Sequence, residues 1–196
     1  MKKIYTLLMI SLLCSCAVQQ SPTLQPFSDV EYWIVRGPLV YEIGNTNEKI
    51  IVPAGFVTDF ASVPPELRPM FPRVGQYLFA AIVHDYLYWN QICSKEEADE
   101  IFYLAMKESG VGGFTRLAFF QAVDKVGMSS WEENKQNKEN GYIKIVPKTH
   151  IDALDSNPSL KWPEYSKILK RKNISEPVDA NQQLKETCNA IEVYRT

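Results

Sequence analysis

Ala80-Ala81-Ile82-Val83-His84-Asp85-Tyr86-Leu87-Tyr88 is the stretch on which the fold turns. Read as part of a helix over residues 77–90, it is apolar nearly all round, which makes it a buried central helix rather than a surface one. Yet it carries an imidazole and a carboxylate side by side, and burying both without partners costs several kcal/mol. At about 100° per residue, His84 and Tyr88 share one face and Asp85 points to its flank, so the three can line one cleft while Ile82, Val83 and Leu87 pack elsewhere. For an arbitrary His-Asp pair, the bland alternative is a pair of hydrogen bonds to a neighbouring loop.

Downstream, Ser94-Lys95-Glu96-Glu97 reads as a capping box that opens a second helix running to about Ser109, where Gly110 can end it. Gly112-Gly113 precede a third helix, Phe114 to Val126, which Gly127 can close. Upstream, Glu31 to Val35, Leu39 to Ile43 and Lys49 to Val52 are rich in β-branched and aromatic residues. Gly37-Pro38 and the Asn45-Thr46-Asn47 turn separate them, so they read as strands. A loop from Pro53 to Pro65 follows, broken by Gly55 and its prolines. The expected class is α+β: a small antiparallel sheet at about residues 31–60, then three packed helices at about 77–90, 94–109 and 113–127. One domain over 29–130 is expected to carry a polar extension over 131–196. That extension, rich in Asn, Lys, Glu and Gln, has a strand candidate at Tyr142 to Val146 and a helix candidate near Gln182 to Ile191, and reads as mostly peripheral. No internal repeat is visible.

The chain has 196 residues, a formal net charge of −2, 45% apolar residues, two His and four Cys, all within the range of one globular domain. Met1-Lys2-Lys3, the apolar run Ile4 to Leu13 and Leu13-Cys14-Ser15-Cys16 resemble a bacterial lipoprotein signal, the apolar run being too short to span a bilayer as a permanent helix. The resemblance implies a signal peptide over 1–15, cleavage ahead of Cys16, and acylation of its thiol and amine. Several acyl chains anchor stably where one does not. Ala17, in place of Asp, implies sorting to the outer membrane, facing the periplasm. Residues 16–28 then read as lipidated Cys and tether. Without Lys2 and Lys3 the chain has 19 basic against 23 acidic side chains, so nucleic acid is not an expected partner. Cys14 and Cys16 lie in the targeting segment. Only Cys93 and Cys188 remain, too few for a disulfide framework, and whether they pair is left open.

Asp99 lies in Glu97-Ala98-Asp99-Glu100-Ile101-Phe102, beside Ala98, Ile101 and Phe102 on the inward stripe of the second helix. The short connection Trp89 to Cys93 makes the two helices antiparallel neighbours, which can bring the Asp99 carboxylate to the His84 ring. Such a pair sets the imidazole tautomer and stabilises the imidazolium. In the upstream loop, Asp59 and Ser62 either cap locally or let Asp59 turn inward to Asp85 and His84. Two inward acids beside a His favour either a cation or a protonated carboxyl.

Gly55-Phe56-x-Thr58-Asp59-Phe60-Ala61-Ser62-Val63-Pro64, His84-Asp85-x-Leu87-Tyr88 and Ala98-Asp99-x-x-Phe102 together resemble a phage and bacterial family, domain of unknown function 1353, over roughly residues 30–127. The His-Asp-x-x-Tyr and Ala-Asp-x-x-Phe elements are also similar to secreted and parvoviral phospholipases A2, over the two central helices only. That second resemblance implies His84 as the general base for water attacking a phospholipid ester, Asp99 as its orienting acid, and Tyr88 as a hydrogen-bond donor to Asp99. It also implies a Ca²⁺ that polarises the ester carbonyl, held by Asp85 with loop oxygens at Gly55 and Asp59, and with Thr58 and Ser62 as further donors. The expected function is therefore a membrane-anchored envelope lipoprotein with a His-Asp site, either a Ca²⁺-dependent phospholipase A2-like hydrolase or a non-enzymatic envelope-binding or exclusion lipoprotein. In the latter, phage-type reading His84, Asp85 and Asp99 form a structural network, and the partner is an envelope protein instead of a phospholipid. His150 and Cys93 do not complete a metal-hydrolase ligand set, no Gly-x-Ser-x-Gly elbow or phosphate loop occurs, and Arg116 with Phe119-Phe120 reads as packing and surface charge. Two observations separate the readings: an open apolar-rimmed cleft over His84, and a His84–Asp99 separation under about 5 Å.

Overall fold

The computed structural model describes residues 22–60, 75–177 and 184–194. The expected signal segment with Cys16, and Ser62 with the end of the Pro53–Pro65 loop, lie outside these residues. The architecture is α+β. Strands β1 (Leu24–Pro26), β2 (Trp33–Val35) and β5 (Val57–Thr58) form an antiparallel sheet in the order β1-β2-β5, while β3 (Leu39–Glu42) and β4 (Lys49–Val52) form a separate hairpin. The hairpin alternates buried Leu39, Tyr41, Ile50 and Val52 with exposed neighbours, the period-two pattern of a sheet with one covered face.

Helices α1 (Leu78–Asn90) and α2 (Lys95–Glu108) stand close to the expected bounds. Phe79 through Trp89 of α1 are all buried, and Gln91 closes the helix in the left-handed region. The expected capping box of α2 is formed: Ser94 accepts from the Glu97 amide, and the Glu97 carboxylate accepts from the Ser94 amide.

Helix α3 runs Gly113–Glu139, well past the Gly127 stop that the sequence suggests. Gly127 serves close packing instead of termination, because a Cβ there would sit 2.4 Å from the Tyr88 hydroxyl. Short helices α4 (Lys148–Ile151) and α5 (Ala153–Ser156) follow, then α6 (Trp162–Arg171), α7 (Leu184–Asn189) and a closing 3-10 turn, Ala190–Tyr194. The strand candidate at 142–146 amounts to a single antiparallel bridge, Ile145 to Phe56.

Two apolar cores flank the β1-β2-β5 sheet. Adjacent residues of β2 point to opposite faces: Val35 joins the core under α1–α3 and the hairpin, and Ile34 joins a second core with Phe27, Val146, Leu154, Trp162 and Leu169. Much of the segment expected to be peripheral is thus half of a core, and Leu24–Pro26, read as tether, is a strand paired in register with β2. A disulfide joins Cys93, in the α1–α2 turn, to Cys188 in α7, which settles the pairing that the sequence leaves open. Among the described residues, no helix is long and apolar enough to cross a membrane.

Candidate functional site

Because α1 and α2 are antiparallel and share apolar faces, the polar side chains on those faces must meet each other. His84 Nε2 lies 2.8 Å from Asp99 Oδ1, and the Tyr88 hydroxyl donates to the same oxygen at 2.7 Å. Lys95 Nζ, one turn before Asp99, donates to Oδ2 at 2.7 Å. A carboxylate only accepts, so Nε2 is the donor in this contact. The imidazole stacks on Phe102 at 4.6 Å between centroids and leans on Tyr88 at 4.1 Å.

All four groups are buried, His84 and Asp99 each at 2% exposure. Burial by itself would raise the Asp99 carboxyl. The hydrogen bond and charge of His84, with the Lys95 and Tyr88 hydrogen bonds, outweigh it and hold Asp99 below the ordinary carboxylate value. Burial raises the Tyr88 phenol strongly, and the Asp99 charge adds to it, so Tyr88 stays a donor.

Asp85 is built differently. Its Oδ2 accepts from the Thr58 hydroxyl at 2.5 Å, and that hydroxyl in turn accepts from the Phe60 amide. Burial, and then the charge of Asp59, push the Asp85 carboxyl up to about 6 against the opposing pull of Thr58, Lys144 and His84. The raised value means that Asp85 takes up a proton more readily than an ordinary carboxylate as the pH falls toward 6.

The calcium set implied by resemblance is not well served by these residues. The Gly55 amide donates to Val35 and its carbonyl accepts from Val146 at 2.9 Å. A Cβ on Gly55 would meet the Val146 carbonyl at 2.1 Å, so that glycine exists to let two backbones touch. Among the described residues no group of three or more His, Cys, Asp or Glu is placed to hold a metal ion. The charge of Asp59 acts on Asp85, while the Gly55 carbonyl is already engaged by the Val146 amide.

Sequence reasoning missed the support behind Tyr88. Gly127, Trp131 and Asn134 stand at helical spacing on the extended α3. Gly127 admits the Tyr88 hydroxyl and lies beside Lys95, Trp131 meets the Tyr88 ring edge-on at 5.2 Å, and the Asn134 amide donates to the Tyr88 carbonyl at 3.3 Å. It also missed Lys95, which reads as an ordinary capping-box residue although its i,i+4 spacing to Asp99 is visible. The structure thus brings together His84, Asp99 and Tyr88, sets Asp85 with Thr58 and Asp59 on the flank, and leaves Gly55 in the turn before β5, its backbone bonded to Val35 and Val146. Neither of two surface grooves, of about 670 and 340 Å³, is lined by His84 or Asp99.

Compared with known proteins, residues 33–123 match the model of a family described as protein of unknown function (DUF1353). No curated protein and no solved structure matches the chain.

Proposed function

Residues 33–123 belong to a family whose description assigns no activity, and from that premise we propose that the chain is a lipid-anchored envelope protein whose His84–Asp99 site hydrolyses a phospholipid ester. One observation carries the reading: His84 Nε2 and the Tyr88 hydroxyl converge on a single Asp99 oxygen at 2.8 and 2.7 Å. In this arrangement Asp99 fixes the ring and stabilises the imidazolium that forms when His84 takes the proton of an attacking water. Tyr88 and Lys95 hold Asp99 rather than touch substrate. Lys95 also offsets part of the Asp99 charge.

Export and anchoring rest on the Cys16 signal motif, and the Cys93–Cys188 disulfide suits an oxidising compartment such as the periplasm. A second reading, the non-enzymatic envelope-binding protein, is favoured by the 2% exposure of His84 and Asp99. On that reading the network specifies helix pairing and meets no substrate.

The test is phospholipid turnover by the chain without its signal segment on mixed liposomes, with products read by mass spectrometry. Calcium and chelator arms run beside His84→Ala. Lysophospholipid formed by the wild type and abolished in His84→Ala supports hydrolysis, and its persistence in chelator removes calcium from the mechanism. No turnover by folded protein with either additive assigns the network to structure.

A further inference from the structure

The side chains that the helical core hides are matched by others that the second core displays. Helix α6 buries Trp162, Tyr165, Ser166 and Leu169. Its outward side and flanks carry Lys161, Lys167, Lys170, Arg171 and Lys172 against one acid, Glu164. This face borders a groove of about 670 Å³ whose lining includes Tyr142, Lys167, Lys170 and Arg171 and also the acid Glu164. Lys170 Nζ is fixed 4.2 Å over the Tyr142 ring. The C-terminal end of a helix attracts cations, which accounts for Lys170 and Arg171 but not for Lys161 or Lys167. Nor is a basic face expected from composition, since 23 acidic residues face 21 basic ones over the whole chain.

The position of this face relative to the N-terminus decides its meaning. The first strand is fastened to the segment that leads into α6: Gln25 donates to Asp155, the Ser28 amide to Leu160 and the Ser28 hydroxyl to Ser159, and the Phe27 ring lies 5.5 Å from Trp162. Cys16 precedes Pro22, the first described residue, by six positions, which reach about 20 Å when fully extended. A chain anchored at Cys16 therefore holds β1, and with it the lobe that bears α6, close to the bilayer.

We propose that the outward face of α6 is a membrane-contact surface that binds the anionic headgroups of phospholipids in the leaflet where Cys16 is anchored. The proposal rests on the lipoprotein reading but not on hydrolysis. The headgroup phosphate supplies the charge that Lys167, Arg171 and Lys172 need, and contact there fixes which side of the domain faces the lipid.

The experiment uses the chain from residue 16 onward with Cys16→Ser, so that no acyl chain contributes. It is floated with vesicles of phosphatidylethanolamine and phosphatidylglycerol, or of phosphatidylcholine alone. The wild type is expected to float with the anionic vesicles and to be released by salt. The triple variant Lys167→Glu, Arg171→Glu, Lys172→Glu is expected to lose roughly a hundredfold in partitioning. All three positions are exposed, and an intact Cys93–Cys188 disulfide reports folding. The matched reversal Lys107→Glu, Lys125→Glu, Lys135→Glu on α2 and α3 is expected to float like the wild type. Equal loss in the two triples, or equal flotation on both vesicle types, overturns the proposal. Retention on heparin that anionic vesicles do not compete overturns it too, in favour of another polyanion. Acylation is read separately, from the mass of the Cys16 peptide in the cell-derived chain. Its absence sinks the anchor without touching the flotation result.

Discussion

The two faces of the β1-β2-β5 sheet treat charge in opposite ways. Toward α1 and α2, His84, Asp85, Lys95 and Asp99 are buried, with Asp99 bonded to three partners. Toward α4–α6 the core is apolar and aromatic, and the lysines of α6 stay on its surface. Burial makes each buried charge depend on a specific partner, because an unpaired one costs several kcal/mol, whereas surface charges interact weakly and can be kept for a partner outside the fold. The helical face is therefore where single substitutions should break the protein, and the C-terminal face is where they should alter what it touches.

Asp99→Ala is the harshest test of that contrast. It leaves Lys95 buried without its partner and removes the acceptor of His84 and Tyr88, so we expect a loss of about 3–5 kcal/mol in denaturant unfolding. A loss below about 1 kcal/mol would be that of a surface ion pair and would break the comparison. Next comes the crosslink between the halves of the chain. Cys188→Ser should cost roughly 2–4 kcal/mol, and reductant should lower the wild-type midpoint to that of the variant.

The Asp85 prediction concerns pH. Its folded value of about 6 lies above the ordinary carboxylate value, so between about pH 4 and 6 the native state holds a proton that the unfolded state has released. Stability from this group is therefore greatest below that window and is lost as pH rises through it. Asp99, held below its ordinary value, works the other way: its contribution is present above about pH 4 and disappears on acidification. Asp85→Asn should flatten the fall between pH 4 and 6 and raise stability at pH 7 by about 2 kcal/mol. If the urea midpoints of variant and wild type kept a constant separation from pH 4 to 8, Asp85 would not be a raised acid.

The finest comparison lies within α3. Gly127→Ala forces a methyl group to within 2.4 Å of the Tyr88 hydroxyl and should cost about 1–3 kcal/mol. Gly113→Ala meets only the end of Arg116 at 3.7 Å and should gain about 0.5 kcal/mol. Thermal midpoints that moved the same way in both variants would remove Gly127 from the support of Tyr88.

The elements that were legible before the structure share one property: local chemistry specifies them. The α2 capping box needs only Ser94 and Glu97, and the His84–Tyr88 face needs only helical spacing. The α3 terminus differs from the sequence expectation because Gly at a helix end and Gly at a close crossing look alike in one dimension. Only the approach of Tyr88 and Lys95 tells them apart. The strand at Leu24–Pro26 lacks a periodic signal of its own, being three residues that pair with β2 and bury their neighbour Phe27. The second core was hidden because its apolar residues are dispersed through a polar stretch, from Ile143 to Leu169, and become contiguous only when folded.

By itself, then, the sequence specified the α+β class and the antiparallel placement of α1 and α2, and put His84 and Asp99 within reach of each other, since short-range geometry and the cost of burying charge narrow the choice. Tertiary structure alone decided that Lys95 shares the Asp99 carboxylate, that Gly127, Trp131 and Asn134 back Tyr88, that Gly55 serves a backbone crossing, and that Cys93 meets Cys188 across a separation of 95 residues. Each of these depends on where distant segments come to rest, which is set by the summed burial of two cores.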